Sequence, residues 1–192
     1  MRFREYRTLL RADLYRHAGR TGCGAFWRHF RRTPGLKYTF WMRTCAYLKG
    51  HKLLRCGVYH LAAWSLRRCM IVYGISIPYT TQIGPGLFIG HFGGIVVHPD
   101  AVIGRNCNLS QGVTIGLSAR GKRQGVPVIG DNVYIAPGAK VFGAIRIGDN
   151  AAVGANAVVT RDVPDGAVVA GIPAEVISHE GSAGYILNTD YE

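Results

Sequence analysis

Residues 129–164 read IGDNVYIAPGAKVFGAIRIGDNAAVGANAVVTRDVP, with an aliphatic side chain at every sixth position: Ile129, Ile135, Val141, Ile147, Val153 and Val159. Gly130, Gly148 and Gly154 follow three of these. Small or apolar residues stand two before most of them, at Val133, Ala139, Ile145, Ala151 and Ala157. A period of six is neither that of a helix nor that of a half-buried strand. It fits a chain coiling round a three-sided core, six residues to a side. Each side then points one aliphatic inward, to stack on its equivalents in the coils above and below. Glycine or a small residue lets the backbone turn each corner.

The same spacing extends upstream. Val97, Ile103, Leu109 and Ile115 form one run of six-residue steps, and Ile77, Ile83, Ile89 and Ile95 another, out of phase with it by two residues. Gly84, Gly90, Gly104 and Gly116 again follow the aliphatics. Between Ile115 and Ile129 the period breaks at 117–128, LSARGKRQGVPV, which reads as a polar, basic loop thrown out of the coil. Loops projecting from rigid repeats often carry binding groups. The repeat region spans 76–177, followed by a tail at 178–192.

Residues 1–75 are of another kind. They hold sixteen Lys and Arg against two acidic residues, a net charge of +14, whereas 76–192 carry −2 of the total of +12. Leu9, Leu10, Leu14 and Tyr15, and then Tyr38, Phe40, Trp41, Cys45 and Leu48, recur at helical spacing. Gly19, Gly22, Gly24, Pro34 and Gly35 punctuate the first helix from the second, and a third is expected over Leu53–Tyr73 with Gly74 as its stop. Arg55, Arg67 and Arg68 argue against that helix spanning a membrane and for its lying on a surface. So basic a region suggests an anionic partner. Trp27, Phe30, Tyr38 and Trp41 look like core spacing, with no nucleic-acid motif beside them, so no nucleic acid is expected. Five cysteines without CxxC spacing indicate neither a disulfide framework nor a zinc site. With no leader-like stretch at the start, they suit a reducing cytoplasm.

The segments IGPGLFIGHFGGIVV, NLSQGVTIG, 129–164 and AGIPAEVI resemble the hexapeptide-repeat acyltransferases, in particular the serine acetyltransferase branch. The resemblance covers roughly Gly74 to Ile177. It implies a mainly β fold, a left-handed parallel β-helix behind an α-helical N-terminal region, assembled as a homotrimer. It implies an acyl-CoA-dependent O-acetyltransferase with acetyl-CoA as donor and no metal. The His of the GHFGG-like segment, His91, would be the general base. Imidazole suits that task, since its unperturbed pKa of about 6.5 lies near neutrality and an alcohol is a weak nucleophile. The donor would lie in a groove between subunits, against Gly116, Ala136, Pro137, Ala155, Gly171 and Pro173, with Arg161 meeting phosphate.

The chain departs from the serine acetyltransferase pattern around the acceptor. Gly90 and Ser76 stand where that branch carries Asp, and Gly125 and Val126 where it carries an Arg–His pair. The tail ends in Tyr191–Glu192 without the branch's terminal Ile. A zwitterionic amino acid needs a cation and an anion to hold it. The expectation is therefore a different acceptor alcohol, a sugar hydroxyl of exopolysaccharide or capsule synthesis, as in the colanic acid acetyltransferases. The basic region would then touch the anionic inner face of a membrane. The alternatives are a serine O-acetyltransferase of cysteine biosynthesis and a non-catalytic trimeric binding scaffold. His98 and Asp100 are the candidates for orienting the His91 ring.

Overall fold

The computed structural model describes residues 1–51 and 57–191. Four helices among them precede the coils: α1 (Phe3–Ala18), α2 (Cys23–Arg32), α3 (Pro34–Lys49) and α4 (Val58–Tyr73). The expected start of the third predicted helix, Leu53 to Arg55, lies outside the described residues, as does Cys56. Gly19 and Gly74 close α1 and α4 in the left-handed conformation, each N–H returning to the carbonyl four residues back. Helix α2 occupies a stretch that the sequence reads as punctuation. Gly22 and Gly24 weaken its helical signal, but Phe26 and Phe30 pack against Phe40 of α3, and that packing outweighs propensity. Trp27, read as a core residue, is 57 % exposed, whereas Tyr38 is buried.

From Ile75 onward the chain winds through three parallel faces. The first holds Ile75–Ser76, Ile95–Val97, Thr114–Gly116, Lys140–Phe142 and Val158–Val159. The second holds Gln82–Ile83, Val102–Ile103, Val128–Ile129 and Arg146–Ile147. The third holds Asn108–Leu109, Tyr134–Ile135, Ala152–Val153 and Val168–Gly171, closed by the antiparallel Ala174–Ser178. Ile129 pairs with Ile147, Ile135 with Val153 and Val141 with Val159, each one coil of three sixes further on. All fourteen aliphatics of the three sequence runs are buried, and so are Val133, Ala139, Ile145, Ala151 and Ala157. Each side thus turns two residues inward.

The corners use two devices. At the corner from the second face to the third, Asn106, Asn132 and Asn150 adopt left-handed φ of 57°, 54° and 56°. Their side chains form a ladder, Asn106 Nδ2 donating to Asn132 Oδ1 and Asn132 Nδ2 to Asn150 Oδ1, both at 3.0 Å. The glycines that follow the aliphatics there serve close approach instead. A Cβ on Gly130 would stand 3.0 Å from the Asp149 nitrogen in the next coil.

The helices cap the open top of the stack. Tyr38 Oη donates to Ile77 O at 2.8 Å and accepts from Ile77 N at 2.9 Å. Asp13 of α1 and Arg43 of α3 form a buried ion pair at 3.1 Å. Asp13 accepts from the Gly86 and Leu87 N–H groups, and Arg43 donates to Ile83 O and Gly84 O, both at 2.6 Å. The tail returns along the third face: Ser182 bonds Asn150 O and Asn132 O, Tyr185 stacks on Tyr134 at 4.4 Å, and Asn188 reaches Arg16 O. No helix among the described residues is long and apolar enough to cross a membrane.

Candidate active site

His91 sits at the corner where the chain passes from the third face to the first. In the next coil Asn108 and Thr114 flank that corner six residues apart. Their register partners Phe88 and Val96 stand eight apart. The two extra residues explain the phase shift between the first and second sequence runs, and they make this corner bulge. The bulge is Gly90–Gly94, and the His91 side chain is exposed on it. Among the described residues none hydrogen-bonds the His91 ring.

The corner is held from three directions. Gly94 (φ 67°) stacks on Gly112 (φ 73°), which stacks on Gly138 (φ 75°). A Cβ on Gly94 would come 3.4 Å from Gly112 Cα, and one on Gly112 would come 3.3 Å from Gly138 Cα. These positions need both the left-handed φ and the missing side chain. Phe92 packs against Tyr73 at the end of α4, ring centroids 5.6 Å apart. The first turn of α3 abuts Ile89, because Gly35 has no side chain there.

Below the bulge, Gly112 N donates to Gly93 O, Gly138 N to Gln111 O and Asn156 N to Pro137 O. Pro137 and Ala155 therefore lie on successive rungs of the edge that carries His91, about 4.8 Å apart per rung. Gly171 continues that edge, since Val169 pairs with Val153, and Pro173 lies in the turn beyond it. Ala155, Gly171 and Pro173 are exposed, and an open edge of small residues suits a long thin ligand arm. Ala136 belongs to the same corner but is only 5 % exposed, so its side chain packs the coil.

Gly116 and Arg161 lie elsewhere. Gly116 ends its strand at the opposite edge of the first face, where the Phe142 ring covers it and a Cβ would stand 2.7 Å from Phe142 Cδ1. Arg161 is exposed at the same opposite edge, between Val159 and Val163. There Asp162 accepts from Arg146 N at 2.9 Å and pairs with Arg123 of the inserted loop at 3.0 Å, which holds its carboxyl below the ordinary carboxylate range. His98 and Asp100 stand at the far end of Ile95–Val97 from His91 and bond each other, Asp100 N donating to His98 Nδ1 at 3.2 Å. The single chain does not bring them to the His91 ring. Lys140, which no sequence pattern marks, donates from Nζ to Gly112 O and to Thr114 Oγ1 on the outer side of the first face.

Residues 127–161 match the family model described as bacterial transferase hexapeptide (six repeats). A serine acetyltransferase of Staphylococcus epidermidis is 39 % identical over 136 residues, 71 % of this chain and 64 % of that protein. Among solved structures, Neisseria gonorrhoeae serine acetyltransferase in complex with serine superposes with a TM-score of 0.74 at 31 % identity, over 92 % of this chain and 70 % of that one. The chain belongs to the hexapeptide-repeat acyltransferases, on the serine acetyltransferase branch. Brucella abortus serine acetyltransferase in complex with coenzyme A also superposes, with a TM-score of 0.77 at 28 % identity, over 93 % of this chain and 70 % of that one. The hexapeptide-repeat coil is the left-handed parallel β-helix. The chain spans 64 % of the length of the S. epidermidis relative.

These relatives overturn the expectation of a sugar hydroxyl in exopolysaccharide synthesis as acceptor. That expectation leaned on the missing charges at four positions, on the missing terminal Ile, on a likeness to the colanic acid acetyltransferases and on a basic N-terminal region. Part of the basic surface is not surface: Arg16 and Arg43 are 3 % and 5 % exposed and bind backbone carbonyls of the first coils. Gly125 closes the base of the inserted loop, exchanging backbone hydrogen bonds with Ser118.

Proposed function

We propose that this chain transfers the acetyl group of acetyl-CoA to the hydroxyl of serine, with His91 as general base. The observation that carries the reading is the exposed imidazole on a bulged corner, at the head of an edge of small residues, in a chain 39 % identical over 136 residues to a serine acetyltransferase.

In this reading the His91 ring nitrogen takes the serine hydroxyl proton as the oxygen attacks the thioester carbonyl carbon. The C–S bond then breaks, and the imidazolium returns the proton to the departing thiolate. Acetyl-CoA supplies the activated acyl group. Pro137, Ala155, Gly171 and Pro173 would line its arm along the His91 edge. Gly116 and Arg161, at the opposite edge of the first face, would meet the same ligand only from a neighbouring copy, which favours a homotrimer with the groove between subunits.

Gly90, Ser76, Gly125 and Val126 bring no charge to the acceptor, so serine should bind weakly and the deficit should appear in KM more than in kcat. The test is release of free CoA from acetyl-CoA by the full chain, with and without serine. Serine-dependent release that vanishes in His91→Ala is expected. Absence of serine-dependent release at saturating serine would overturn the assignment.

A further inference from the structure

Arg16 is 3 % exposed, yet among the described residues it has no carboxylate within ion-pair distance. Asp13, one turn earlier on α1, is committed to Arg43 and to the Gly86 and Leu87 N–H groups. Arg16 donates only to neutral acceptors: Nε to Gly86 O at 3.2 Å, and Nη2 to Asn106 O at 3.4 Å and to Asn108 Oδ1. Its Nη1 makes no hydrogen bond among the described residues. Next to it, His17 Nε2 is buried and has no partner. A buried charge without a counter-ion is costly, and so is an orphaned polar atom.

Both side chains line one cleft of about 190 Å³, walled by Phe88 and Asn108 of the coils and by Leu187 of the returning tail. The Phe88 ring lies 4.5 Å from the His17 ring, centroid to centroid, and 5.6 Å from Arg16 Cζ. At about 30 Å³ per water, this space holds an ion the size of acetate or phosphate together with a few waters.

We propose that this cleft binds a small oxyanion, a carboxylate or a phosphate, between Arg16 Nη1 and His17 Nε2. The anion supplies the missing countercharge and accepts from both groups, as guanidinium–oxyanion pairs do. The cleft lies on the third face, inside the tail, and its occupation is independent of the acetyl-transfer reading.

Sodium acetate and sodium phosphate, titrated separately into the full chain at ionic strength held constant with chloride, give the test. Thermal midpoint and calorimetric heat are the readouts. A saturable rise with at least one of the two is expected, and the stronger response separates carboxylate from phosphate chemistry. Leu187→Trp, which fills the cleft from an exposed position and leaves Arg16 and His17 intact, should abolish the response, and Leu187→Ala should keep it. His17→Phe should weaken binding by about tenfold or more, the worth of a hydrogen bond to a charged group. Lack of a saturable response to either anion, or a response in Leu187→Trp at wild-type affinity, overturns the site.

Discussion

Gly35 lies directly against Ile89: a Cβ on the glycine would stand 2.8 Å from Ile89 Cβ and 2.9 Å from the Ile89 carbonyl carbon. The first turn of α3 therefore rests on the segment that enters the His91 corner, two residues before His91. Gly35→Ala gains about 1 kcal/mol of helix propensity. Overpacking costs about 1–3 kcal/mol, more where the opposing atoms are backbone and cannot swing aside. The clash should win, with a lower thermal midpoint and reduced acetyl transfer together. Unchanged kcat in a folded Gly35→Ala protein would show that α3 does not position the corner.

His91 is exposed and bonded to none of the described residues, so His91→Ala should fold as the wild type does. Loss of a general base costs typically about 10²–10⁴-fold in rate. Turnover should fall by that factor with little change in acetyl-CoA binding, measured as kcat and as CoA affinity. A loss confined to KM would assign His91 to binding instead.

Arg43 and Asp13 join both helices to the first coil, and each is satisfied by several hydrogen bonds. Arg43→Met leaves the Asp13 carboxylate buried without its cation, which should cost about 3–5 kcal/mol by urea unfolding. Asp13→Asn with Arg43→Met should recover part of that loss, since the buried charge goes as well. Strict additivity of the two changes would mean that the pair is not coupled.

His17 should make stability depend on pH. Burial, reinforced by the neighbouring His29 and Arg16, lowers its pKa to about 3, so the folded protein holds it neutral. The unfolded chain takes up that proton near 6.5. The folded pKa is thus the lower one, and stability is complete above about 6.5 and falls as pH drops towards 3. Between pH 7.5 and 5.5 the loss should be about 1 kcal/mol in chloride medium. His17→Phe should remove that part of the slope in urea midpoints measured at the two values. An identical slope in both proteins would locate the pH dependence elsewhere.

The route from sequence to site runs through one detail of phase. The two-residue offset between Ile95 and Val97 is visible in the letters, and in the structure it is the bulge that pushes His91 outward. Its meaning was not legible until the register of Phe88 with Asn108 located the extra residues in one corner. Gly35 reads as punctuation in the sequence, because nothing in a linear pattern tells a glycine that ends a helix from one that makes room for another segment. Helix α2 is hidden in the sequence for a related reason, its support coming from the Phe40 ring on α3. The letters likewise do not tell an arginine that faces solvent from one buried against carbonyls, as Arg16 and Arg43 are.

Stacked coils repeat the same inward positions every six residues, so the identity of the core and the number of sides are local properties that the amino-acid string determined alone. Contacts between distant segments carry no period. The burial of Arg16 beside His17, the seating of α3 on Ile89 and the return of the tail along the asparagine ladder were decided only when packing brought residues distant in the chain into contact.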